Sequence, residues 1–83
     1  PNTLDLHRLK VPEAVRRVEI AIRDTLVAGG TTLRVITGRG NHSAGKIPVL
    51  KLAIMRVMMD EHRIPTTVDP QNPGVLIIRF PSS

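Results

Sequence analysis

Eighty-three residues allow one small domain, near the lower size at which a hydrophobic core holds a fold without extra cross-links. The absence of cysteine excludes a disulfide framework and a thiolate metal site, no apolar run reaches the ~18 residues of a membrane-spanning helix, and a single aromatic residue, Phe80, excludes a platform of rings stacked on unpaired bases. A net charge of +5, with nine of the twelve basic residues arginine, points to nucleic acid gripped through backbone charge and shape.

Along the chain, Thr3-Leu4-Asp5-Leu6-His7 alternates apolar and polar and predicts a short strand, with Leu4 and Leu6 inward and Asp5 and His7 sharing the other face. A helix follows to about Ala28. Pro12 sits in its first turn, Glu13 complements its positive end, and Ala14, Val15, Val18, Ile22 and Leu26 recur at helical spacing. Glu13 with Arg17 and Glu19 with Arg23 are i, i+4 pairs on the wet side, and Gly29-Gly30 closes the helix. Leu33 to Thr37 reads as a second strand, parallel to the first through a right-handed crossover. After a glycine-rich loop, a second helix runs from Pro48 to about Ile64, where Pro65 stops it; Met55, Met58 and Met59 read as core filler and His62 as a cation on the helix C-terminus. Thr66 to Asp69 suits an edge strand, Pro70 to Gly74 a turn, and Val75 to Phe80 an interior strand antiparallel to its neighbour. The resulting order is βαβαββ, an α/β two-layer sandwich with a four-stranded mixed sheet and both helices on one face.

The loop from Thr37 to Lys46 concentrates the chemistry. Its glycines 38, 40 and 45 permit close approach of backbone N–H groups to an anion, Arg39 and Lys46 add full charges, and His42 adds an imidazole that exchanges a proton near neutral pH. Asn41 and Ser43 stand among these donors. Ligands of open α/β sheets gather beyond the carboxyl ends of the parallel strands, and that rim carries both this loop and His7. An acid, two imidazoles, a guanidinium and a nest of backbone donors are parts suited to phosphodiester cleavage by general acid and base catalysis. Gly40 to Lys46 also matches part of a nucleotide-binding P-loop, but Ile47 stands where a hydroxyl must reach magnesium. The blander readings are a solvated Asp5 and His7 and a loop that only turns the chain.

Leu4-Asp5-Leu6-His7 and Thr37-Gly38-Arg39-Gly40-Asn41-His42-Ser43, in this order and separation, resemble the two signature motifs of the Smr (small MutS-related) domain, and Val68 to Ile77 resembles its eukaryotic branch. The resemblance implies a fold similar to the C-terminal domain of bacterial translation initiation factor three, with sheet order 1-2-4-3. It also implies endonuclease activity, either DNA nicking or cleavage of messenger RNA on stalled ribosomes. Asp5, His7, Gly38, Arg39 and Gly40 match the motif positions; Arg8 stands where glycine is usual, which puts the backbone there in question and adds a candidate phosphate contact. On RNA, His7 is expected to deprotonate the ribose 2′-hydroxyl with Asp5 orienting it. Arg39 and the loop amides would hold the phosphate, with Arg8, Gly38, Gly40, Asn41, Ser43 and Lys46 as the wider binding set, and His42 would protonate the leaving oxygen.

No cofactor is expected. A divalent ion on Asp5 and the histidines is the alternative, which DNA cleavage would call for, but the spacing is not that of a strong metal site. The expected partners are RNA or DNA and the ribosome, with no membrane, for a monomeric domain in the cytoplasm or nucleus. A start at Pro1 reads as one domain, residues 1–83, cut from a longer protein. The rival functions are a non-catalytic module binding nucleic acid or ribosomes, and a protein-interaction domain.

Overall fold

The computed structural model describes residues 3–38 and 48–81. The elements are β1 (Thr3–Asp5), α1 (Val11–Val27), β2 (Thr32–Ile36), α2 (Val49–Val57) continued by a π-helical turn (Met58–His62), β3 (Thr66–Asp69) and β4 (Asn72–Arg79). The sheet order is β1-β2-β4-β3, with β1 parallel to β2 and the other two pairings antiparallel. This is the mixed α/β sandwich expected from the sequence, with β4 inside the sheet and β3 at its edge.

Each strand divides its residues by parity. Val35 lies between Leu4 and Leu76 in register, and Leu33 opposite Ile78, so these side chains form the face that meets the helices. Ala14, Val18 and Ile22 of α1 and Ile54 and Met58 of α2 and its π turn complete the core, with Leu6 and Phe80 buried just beyond their strands. The opposite face carries Thr3, Asp5, Thr32, Arg34, Thr67 and Arg79, all exposed, and Arg34 there reaches Asp69 at 3.1 Å.

Several sequence expectations change in detail. Leu26 is half exposed and Thr25 is buried in its place. At ~100° per residue, Thr25 lies about 20° around the helix from Ala14, whereas Leu26 lies about 120° away. Glu19 pairs with His62 at 2.9 Å and not with Arg23, so a contact between α1 and the end of the second helix replaces a local one. Met58 is fully buried but Met59 is 57 % exposed, so only part of the methionine run fills the core. The second helix ends before Pro65 acts: its last residues widen into the π turn, Arg63 takes a left-handed conformation (φ 53°), and the Ile64 N–H returns to the Met58 carbonyl. Gly29 and Gly30 close α1 as expected, with Gly29 at φ 80° and their N–H groups bonded to the carbonyls of Leu26 and Thr25. Among the described residues, no helix is long and apolar enough to cross a membrane.

Candidate functional site

β1 stops at Asp5, two residues short of the predicted strand. The short carboxylate explains why. Asp5 Oδ1 accepts the backbone N–H of His7 at 3.1 Å, a local bond that competes with sheet pairing and turns the chain. Leu6 remains tied to the sheet, its N–H on the Ile36 carbonyl at 2.8 Å, and the Leu9 N–H closes a tight turn onto the Leu6 carbonyl. Arg8 occupies the third position of that turn with φ 74°, a conformation in which glycine is free and an L side chain is strained. Arg8, where the resemblance leads one to expect glycine, thus keeps the left-handed turn in place and installs a cationic side chain next to His7.

The turn swings the imidazole back onto the carboxylate. His7 Nδ1 lies 2.5 Å from Asp5 Oδ1, so one oxygen receives both the ring and the backbone donor while both side chains stay half exposed. An ionised carboxylate only accepts; Nδ1 must therefore carry the hydrogen, and in the neutral ring the lone pair is on Nε2. No described residue bonds Nε2. The hydrogen bond from the His7 ring, with a smaller contribution from the His7 backbone N–H, lowers the Asp5 pKa below its ordinary value and keeps it an anion.

The second segment joins this pair at Gly38. The carbonyl of Gly74, at the start of β4, accepts N–H bonds from Thr37 at 2.9 Å and Gly38 at 3.2 Å and faces the Thr37 hydroxyl at 3.3 Å. That anchor holds Gly38 at φ 82°, and a Cβ placed there would lie 3.5 Å from the Cβ of His7. Space alone would admit alanine; the backbone angle is what asks for glycine. Lys51, in the first turns of α2, donates to the Pro73 carbonyl at 3.0 Å, which ties the start of that helix to the beginning of β4.

The structure therefore brings Asp5, His7, Arg8 and Gly38 together at the carboxyl rim of the parallel strands. Arg39, Gly40, Asn41, His42, Ser43 and Lys46 lie outside the described residues. Among the described residues, no three His, Cys, Asp or Glu side chains converge as metal ligands would, and Asp5 and His7 supply two. Sequence reasoning missed the Gly74 carbonyl; the Pro73-Gly74 pair next to a strong strand was its only signal.

A family model for the Smr domain matches residues 4–79. An Smr domain-containing protein of Schizosaccharomyces pombe is 36 % identical over 83 residues, covering all of this chain and 39 % of that protein. Human NEDD4-binding protein 2 is 41 % identical over 63 residues, covering 70 % of this chain and 4 % of that protein. The chain thus spans well under half the length of both relatives. Among solved structures, the Smr domain of Thermus thermophilus MutS2 superposes with a TM-score of 0.85 at 24 % identity, over 99 % of this chain and all of that one, which speaks to the fold. The Smr domain of B3BP superposes with a TM-score of 0.77 at 33 % identity, over 96 % of this chain and 78 % of that one.

Proposed function

Because this chain belongs to the Smr domain family, whose members are nuclease-like nucleic-acid-binding modules, we propose that it is an endonuclease module that cleaves RNA by acid and base catalysis. The observation that carries the reading is the Asp5–His7 pair, with Nδ1 engaged and Nε2 left to accept a proton, packed against the first glycine of a glycine-rich loop whose sequence also holds Arg39 and Lys46.

In the proposed reaction His7 Nε2 takes the proton of a ribose 2′-hydroxyl. The freed oxygen attacks the adjacent phosphorus, and the bond from phosphorus to the 5′-oxygen of the next nucleotide breaks. The 5′-oxygen takes a proton from His42, and the products are a 2′,3′-cyclic phosphate and a 5′-hydroxyl. Asp5 holds the ring in the reactive tautomer and stabilises the imidazolium that forms. Arg39, Lys46 and the Gly40 amide hold the phosphate oxygens as charge builds, with Asn41 and Ser43 as further donors and Arg8 reaching a neighbouring phosphate, while Gly38, its own N–H engaged by the Gly74 carbonyl, sets where the loop begins. The chemistry needs no metal, and messenger RNA on ribosomes in the cytoplasm is the setting that fits it.

The test compares wild type with the Asp5/His7 double-alanine variant on end-labelled single-stranded RNA, structured RNA and DNA, with and without EDTA, and measures binding separately by fluorescence anisotropy. Cleavage of RNA that survives EDTA and disappears in the double variant, with binding retained, is the expected result. Equal cleavage by both proteins would refute the assignment, and binding without cleavage by either would leave a binding module in its place.

A further inference from the structure

A groove that plays no part in the proposed chemistry lies at the sheet edge opposite β1, where the π turn after α2 meets β3. Its volume is about 500 Å³, and its walls are Met59, Arg63, Ile64, Pro65, Thr66 and Thr67. The lining is mostly apolar, with Met59 57 % exposed and one guanidinium, that of Arg63. Among the described residues Arg63 makes no ion pair; the nearby Asp60 is engaged by Arg56 at 3.5 Å.

The backbone beside the groove is equally specific. The Arg79 N–H donates to the Pro65 carbonyl at 3.0 Å, and Thr66 stands opposite Ile78, Thr67 opposite Ile77 and Val68 opposite Leu76. Bonded and non-bonded pairs alternate in an antiparallel ladder. Thr67 therefore bonds to β4, whereas the N–H and C=O groups of Thr66 and Val68 face the free edge. Pro65 and Pro70 bracket this short segment and the register shifts after Val68, which together restrict any added strand to a few residues.

We infer that this edge docks an extended, acidic peptide segment of a protein partner. The segment adds to β3 as a short fifth strand through Thr66 and Val68, sets an apolar side chain against Met59 and Ile64, and places a carboxylate on Arg63. The alternating free donors and acceptors select an extended chain over a helix, the apolar walls disfavour nucleic acid, and the unpaired guanidinium selects acidity. Because β3 and β1 are opposite edges of the sheet, the segment leaves the Asp5–His7 rim open. The inference stands independently of the cleavage reaction.

A phage-displayed random heptapeptide library panned on the folded domain supplies the probe, and the best binder is synthesised with a fluorophore. Enriched peptides that pair an apolar with an acidic residue, shift the amide resonances of residues 63–68, and lose about tenfold or more in affinity to Arg63→Gly are the expected result. Glycine suits the φ of 53° at that position, so this variant removes the cation without endangering the fold. N-methylation along the peptide must weaken binding at alternate residues only, the signature of strand addition. Absence of any enriched peptide, resonance shifts at the Asp5–His7 rim, uniform tolerance of N-methylation, or self-association of the domain through β3 would each overturn the inference.

Discussion

Arg8→Gly isolates what the strained turn beside His7 costs and what it supplies. Arg8 holds φ 74°. An L residue in the left-handed region loses roughly 1–2 kcal/mol relative to glycine, while the extra freedom glycine gives the unfolded chain returns about 0.4–1 kcal/mol. The net expectation is a more stable domain by about 0.5–1 kcal/mol. For a domain of this size the thermal midpoint then rises by roughly 2–8 °C, read by circular dichroism melts at neutral pH. The same variant removes a cation from the proposed phosphate site, so RNA affinity should fall several-fold and the slope of log affinity against log salt should shrink by about 0.7. A midpoint that falls, or affinity and salt slope that both stay at wild-type values, would refute the claim that a strained cation is kept beside the catalytic pair for phosphate.

Asp5→Asn keeps the shape of the side chain but removes the charge and permits the amide to stabilise the wrong imidazole tautomer; single-turnover cleavage should slow by about 10²–10⁴ with RNA affinity unchanged. Because the Asp5 pKa is lowered in the folded state, its contribution to stability is complete above the ordinary carboxylate value of about 3.9 and is lost as pH falls through the lower folded value, so Asp5→Asn should flatten the acid limb of the stability curve below about pH 4 in urea titrations and leave the curve's shape near pH 7 unchanged. Gly38→Ala meets no steric clash yet must hold φ 82°, and should destabilise the domain by about 1–2 kcal/mol in denaturant melts. Ile54→Ala opens a cavity at a fully buried position and should cost about 2–5 kcal/mol in the same assay.

The architecture was legible because periodicity and punctuation agreed: the β-branched run Leu33–Ile36, the helical recurrence of Ala14, Val18 and Ile22, and the Gly29-Gly30 stop each encode one local geometry, and the strand-helix-strand order then fixes parallel pairing. The meeting of His7 with the start of the glycine loop followed from that topology, and Gly38 lies against His7 as a result. What sequence reasoning missed is non-local or set by side-chain competition for the backbone. Alternation continues through His7, but the Asp5 carboxylate captures the His7 N–H and ends the strand early. The Glu19–His62 pair joins residues 43 apart, where local spacing offered Arg23. The glycine usual at position 8 in the resembling family flagged Arg8, but the left-handed Arg63 has no glycine or asparagine to announce it, and the Gly74 carbonyl that fixes Thr37 and Gly38 belongs to a strand 37 residues away.

The most direct test is mass spectrometry of the new 3′ ends made when the wild-type domain cleaves a single-stranded RNA. A 2′,3′-cyclic phosphate that vanishes when the scissile ribose lacks its 2′-hydroxyl is the result the Asp5–His7 mechanism predicts. A 3′-hydroxyl end, or equal cleavage of the 2′-deoxy substrate, would contradict it.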